Sequence, residues 1–78
     1  MKKVEIEQIL DAIKATKVIE DVESLKHDVE LSEQGIDSLD LSNMLLGMED
    51  AFGIEIPDED IDALLTINDI LEYVNGKI

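Results

Sequence analysis

The stretch that decides the fold is Glu33–Asp60, EQGIDSLDLSNMLLGMEDAFGIEIPDED. It contains a helix start, a helix and a helix stop in succession. Asp37 is suited to the N-cap, because its carboxylate can accept from a first-turn N–H that has no partner inside the helix. Asp40 adds negative charge where the helix dipole favours it. Leu41, Leu45, Met48 and Phe52 follow at i, i+4, i+7 and i+11 and share one apolar face. Gly53 stands where a left-handed residue commonly ends a helix, and Pro57 prevents continuation. The spacing predicts a helix over residues 38–52. Gly47 is out of place inside it, since Gly costs up to about 1 kcal/mol relative to Ala in a helix interior; close approach of the following short helix, or a route for an apolar chain, would account for it.

Working outward, Ile6, Ile9, Leu10 and Ile13 recur at i, i+3, i+4 and i+7 and predict a helix over 3–16, with Glu5, Glu7 and Asp11 on its other faces. Residues 17–36 have no clear period. A loop that long is unusual in a small domain, so part of 19–26 is expected to form a short helical turn, with Val29 and Leu31 as apolar anchors. PDEDIDALL begins with a proline followed by acids, as helix starts prefer, and predicts a short helix over 58–64. Thr66 as N-cap with Asp69 three residues on resembles a capping box, and Ile67, Ile70, Leu71 and Val74 supply the stripe of a last helix that Gly76 ends. No strand pattern or internal repeat is present. The expected fold is all-α: one domain over residues 1–78, a small four-helix bundle with three longer helices, a short third helix, and a long loop between helices one and two.

Composition narrows the function. Twenty acids against six lysines and no arginine give a net charge of −14. The lysines are at 2, 3, 14, 17, 26 and 77, so residues 27–76 hold none, yet they hold fourteen of the acids. Such a field repels nucleic acid and anionic membranes and attracts basic protein surfaces or divalent cations; plain solubility is the simplest reading of acidity alone. Apolar residues at 45% are too many for a disordered acidic tail. There is no cysteine, hence no disulfide and no thiolate of the chain's own. No apolar run approaches the ~18 residues of a membrane span, so a soluble, cytoplasmic monomer is expected.

The residues offer little catalysis. Ser38 lacks the Gly-x-Ser-x-Gly elbow of hydrolases, and His27, the one histidine, falls in the polar loop. Asp58, Asp60, Asp62, Thr66 and Asp69 stand at offsets 1, 3, 5, 9 and 12, as in a calcium-binding loop. Position 6 is Ala63 where that loop needs Gly, and position 12 is Asp where a bidentate Glu is usual. Weak divalent binding at Asp58, Asp60 and Asp62 is the most this pattern supports, and an acidic calcium-binding helical protein is the alternative reading. What remains is Ser38 at the start of a helix, where free N–H groups and the dipole favour a phosphate. The local residues are equally those of an ordinary helix N-terminus.

GIDSLDL, leading through an amphipathic helix to MEDAFGIEIPDEDI, closely resembles the acyl carrier protein family. Its strongest part runs from Gly35 to Ile61: Asp37-Ser38-Leu39 opening the second helix, then an acidic-Phe segment, then Ile56-Pro57-Asp58 before the third. The resemblance implies a non-catalytic carrier. By the same resemblance, Ser38 is expected to be the attachment site of a covalent 4′-phosphopantetheine arm, installed from coenzyme A by a phosphopantetheinyl transferase, with Asp37 helping to place both. Acyl intermediates then ride as thioesters, so the thiol is imported. The implied work is delivery to enzymes of fatty acid, polyketide or related biosynthesis; a peptidyl or aminoacyl carrier shares the arm and differs in cargo. Leu39, Asn43, Leu46 and Asp50 are spaced i, i+4, i+7 and i+11. With Asp40 and Glu49 they are expected to form a docking surface for synthases and transferases bearing basic patches. Asn43 departs from the acid common there in the family.

Overall fold

The first helix begins later than its apolar stripe suggests. A computed structural model describes residues 3–78, and α1 runs Ile6–Ala15. Gln8 Oε1 accepts from the Glu5 N–H at 2.8 Å, which fixes the start. The residues before it serve a tie instead: Val4 N donates to Asn75 Oδ1 at 2.7 Å, and Asn75 Nδ2 returns a bond to the Val4 carbonyl at 3.1 Å. The N-terminal segment is thereby stitched to the last helix.

The second helix, α2, spans Ser38–Phe52, as its caps predict. Asp37 Oδ1 accepts from Asp40 N at 2.8 Å, and Gly53 closes the helix at φ 65°. The buried face is centred on Met44, Leu45 and Met48, while Leu41 and Phe52 only flank it. The third helix, α3, covers Asp58–Ile61, shorter than the predicted 58–64. The bonds Ala63 N to Asp60 O (3.1 Å) and Leu64 N to Ile61 O (3.0 Å) tighten the chain so that Leu64 turns into the core. The fourth, α4, spans Ile67–Lys77. Its start is the expected reciprocal cap, with Asp69 N donating to Thr66 Oγ1 at 3.0 Å and Thr66 N to Asp69 Oδ2 at 3.2 Å. Its end is not at Gly76. Positive φ among the glycines is confined to Gly35 and Gly53, so Gly76 stays helical and the turn completes through Ile78 N to Val74 O.

The long connection from α1 to α2 holds 3₁₀ turns at Val22–Ser24 and Leu31–Gln34. Val22, Leu25, Leu31 and Ile36 are buried, and Val29 only half so. One side chain organises the middle: Gln34 Oε1 accepts from Lys26 N at 2.7 Å, and its Nε2 donates to the carbonyls of Lys26 and Val29, both at 3.0 Å. Leu31 N to Leu65 O (2.8 Å) and Asn68 N to the His27 carbonyl (3.1 Å) tie the loop to the entry of α4.

The core joins Ile9 and Ile13 of α1, Met44 and Met48 of α2, Ile67, Ile70 and Val74 of α4, and Leu31 from the loop. No polar or charged side chain is buried among the described residues, and no strand occurs among them. The radius of gyration of 11.2 Å is that of a compact chain of this length. Gly47 corrects one expectation. It faces α1 rather than the short helix: a Cβ there would collide with the Thr16 methyl and sit 3.6 Å from the Ala12 carbonyl oxygen. The glycine exists so that α1 and α2 can cross closely.

Candidate functional site

The entrance to α2 gives two adjacent residues the separate places that the sequence suggested. Asp37 provides the cap through its side chain and accepts the first helical bond, from Leu41 N at 2.9 Å, through its carbonyl. Ser38 is the first helical residue and is exposed. Among the described residues its hydroxyl takes part in no hydrogen bond, so the oxygen of this exposed residue is free. The helix dipole places partial positive charge beside it. Asp37 and the half-buried Asp40 place negative charge there too, so a phosphodiester on Ser38 must face outward, away from the carboxylates. A cleft of about 140 Å³ at the same helix entrance is lined by Ile36, Asp37, Ser38, Leu41 and Leu65, among others. An exposed hydroxyl at a helix N-terminus, bordering a cleft, fits an arm joined through phosphate.

Along α2 the expected docking residues lie where the spacing put them. Leu39 is 70% and Leu46 57% exposed. Both leucines therefore stand on the solvent side of α2 and outside the core. Asn43 and Asp50 are exposed on the same stripe, with Asp40 half-buried beside them. Glu49 differs: it is half-buried, and its Oε2 accepts from the Ile56 N–H at 2.8 Å. Sequence spacing placed it among the docking acids and missed this bond across the α2–α3 turn. Leu65 was also missed. It is 46% exposed and borders the Ser38 cleft from the turn before α4; it follows the last turn read as helix and falls on no apolar stripe.

The carboxylates of Asp58, Asp60 and Asp62 do not converge. Among the described residues no group of three His, Cys, Asp or Glu side chains is gathered for a metal ion. Asp60 Oδ2 instead accepts from the Tyr73 hydroxyl at 2.6 Å, and Asp69 is spent on capping α4. The hydrogen bond to Asp60, with some loss of hydration, raises the Tyr73 pKa above the usual phenol value, while Lys77, its ammonium 5.3 Å from the ring centre, pulls the other way. No helix among the described residues is long and apolar enough to cross a membrane.

A helical bundle that presents an exposed serine as the first residue of a helix is suited to carrying a group on that serine. Comparison with known proteins agrees. The profile of the family described as "Phosphopantetheine attachment site" matches residues 7–74. The chain is also similar to an acyl carrier protein of Thermosynechococcus vestitus, at 34% identity over 79 residues, covering 100% of this chain and 98% of the relative. The chain belongs to the phosphopantetheine-attachment family, among the acyl carrier proteins, which are non-catalytic carriers.

Proposed function

We propose that Ser38 carries the phosphopantetheine arm and that the chain delivers acyl intermediates to enzymes of fatty acid, polyketide or related biosynthesis. The observation that supports this most is the division of labour at the entrance to α2: Asp37 caps the helix, and Ser38 is left exposed with a free hydroxyl inside the family match. On attachment the Ser38 Oγ–phosphorus bond forms as a pyrophosphate bond of coenzyme A breaks; the serine proton goes to the transferase or solvent, and the nucleotide portion leaves. The arm supplies the thiol that this cysteine-free chain lacks, and acyl groups are held there as thioesters.

The residues around Ser38 orient and recruit. Asp37 holds the first turn so that the hydroxyl emerges in a fixed direction. Leu39 and Leu46 give apolar contacts, and Asp40, Asn43 and Asp50 surround them with polar and acidic groups. A phosphopantetheinyl transferase, and synthases and transferases with basic patches, are the partners such a surface suits. Charge complementarity of this kind speeds encounter and makes it salt-sensitive.

The test is the intact mass of the chain after incubation with coenzyme A and a broad-specificity phosphopantetheinyl transferase. One added phosphopantetheinyl group is expected on the wild-type chain and none on Ser38→Ala. Addition that survives Ser38→Ala refutes the assignment.

A further inference from the structure

Leu65 stands apart from the other exposed leucines. It is 46% exposed, yet both of its backbone groups are fixed. Leu65 N donates to Asp69 Oδ2 at 3.2 Å, and the Leu65 carbonyl accepts from Leu31 N at 2.8 Å. Its neighbour Leu64 is buried. The turn before α4 therefore sends one leucine into the core and holds the next at the surface. That second leucine lines the same cleft as Ser38. Leu31, Ile36 and Leu41 supply the rest of the cleft's apolar lining. Leu31 and Ile36 are otherwise buried and Leu41 is half-buried, so the edge of the core lies open beside the attachment residue.

The order of groups along the arm suits this cleft. The phosphate follows the serine oxygen directly, and the carboxylates of Asp37 and Asp40 push it outward. A methylene and a carbon bearing two methyl groups come next, and they form the most apolar part of the arm. The dimethyl carbon is four bonds from Ser38 Oγ, a reach of about 5 Å in an extended chain. The cleft volume of about 140 Å³ accommodates about four or five groups of the size of a water molecule, at roughly 30 Å³ each. The methylene and the dimethyl carbon fill that space. The distal amides, the thiol and an acyl group exceed it.

We propose that the cleft bordered by Ser38 and Leu65 seats the dimethyl segment of the arm, with Leu65 as its positioning residue, and that the distal amides and the thiol stay outside. This rests on Ser38 bearing the arm. Seating converts a tether free to swing about the end of α2 into one that leaves the protein on a set heading. Leu65 suits the task because its backbone is already held through both N–H and C=O, so little freedom is lost when the methyls settle against it.

The experiment is NMR on the full chain, loaded from coenzyme A labelled with carbon-13 in the geminal methyl groups and in the methylene beside the thiol. In the wild type, nuclear Overhauser contacts link the geminal methyls to the side chains of Leu41 and Leu65, and those methyls relax as a more ordered group than the methylene beside the thiol. Leu65→Ala keeps the two backbone bonds and lowers the ratio of seated to free arm by about fourfold, the loss expected for one buried methylene. The contacts to Leu41 weaken with it. A thiol reagent modifies wild type and Leu65→Ala at the same rate, because the thiol is outside the cleft. The wild-type contacts decide the seat without any variant: a loaded chain that lacks them, with geminal methyls as mobile as the thiol end, overturns the seat and leaves the attachment standing. Leu41 contacts undiminished in Leu65→Ala overturn the role of Leu65. If that variant is instead loaded more slowly with its arm contacts unchanged, Leu65 touches the transferase and not the arm, which overturns the role equally. A thiol that reacts faster in Leu65→Ala overturns the limit to the proximal segment. Label absent from Ser38 removes the attachment and the seat together.

Discussion

Replacing Gly47 with Ala should destabilise the fold, although Ala is the better helix former. Helix propensity alone predicts a gain of up to about 1 kcal/mol. Against it stands α1, because the new methyl collides with the Thr16 methyl. Thr16 cannot swing aside freely. Its hydroxyl donates to the Ile13 carbonyl at 2.6 Å and accepts from Val18 N at 3.3 Å. Rotation puts at risk about 0.5–1.5 kcal/mol for each bond, and parting the helices instead costs the typical 1–3 kcal/mol of overpacking, roughly. The net expectation is a loss of about 1–2 kcal/mol, or a urea midpoint lower by about 1–2 M at a slope near 1 kcal/mol per molar. Thr16→Ser removes only the obstructing methyl and keeps the hydroxyl. In that background Gly47→Ala should become neutral or stabilising, a coupling of about 1–3 kcal/mol in the double-mutant cycle. Stabilisation by Gly47→Ala in the wild-type chain, or an equal cost with Ser at position 16, would refute the reasoning.

Asp37→Ala removes the α2 cap and should cost about 1 kcal/mol in a thermal melt; an unchanged melt contradicts the role assigned to the Asp37 carboxylate. Leu39→Ala and Leu46→Ala, both exposed, should leave stability within about 0.5 kcal/mol while weakening association with the transferase, which stopped-flow binding at two salt concentrations would measure. Equal association rates would place docking elsewhere. The Tyr73 bond to Asp60 predicts a pH dependence. The phenol pKa is raised in the folded chain, so the bond's contribution is fully present below the ordinary phenol pKa and is lost as pH rises through the raised value. Asp60→Ala should move the Tyr73 absorbance titration to lower pH, and no movement would contradict the assigned cause.

What was legible in the sequence is what local rules govern. Asp37, Thr66 with Asp69, and Gly53 could be read because caps and left-handed helix ends depend on residues within one turn. The stripes of α1, α2 and α4 could be read because 3.6-residue periodicity follows from burying one face. What was not legible depends on contacts distant in sequence. Gln34 looked like one more polar loop residue, yet it bonds three backbone groups across the 26–29 turn. Gly47 announced a close approach and not the element approached. Met44 lies on the same helical face as Leu41, and only the packing of the assembled core decides that Met44 is at the centre. On α2, spacing put Leu39, Asn43, Leu46 and Asp50 on one stripe, and all four are exposed. It could not show that the Glu49 carboxylate turns toward Ile56, or that Leu65 borders the Ser38 cleft.

The central claim is that one oxygen, on Ser38, receives the arm. Fragmentation mass spectrometry of the loaded chain tests it most directly, because Ser24, Ser32 and Ser42 are also present. The account predicts the phosphopantetheinyl mass on Ser38 alone. The same mass on any other serine, with Ser38 unmodified, contradicts it.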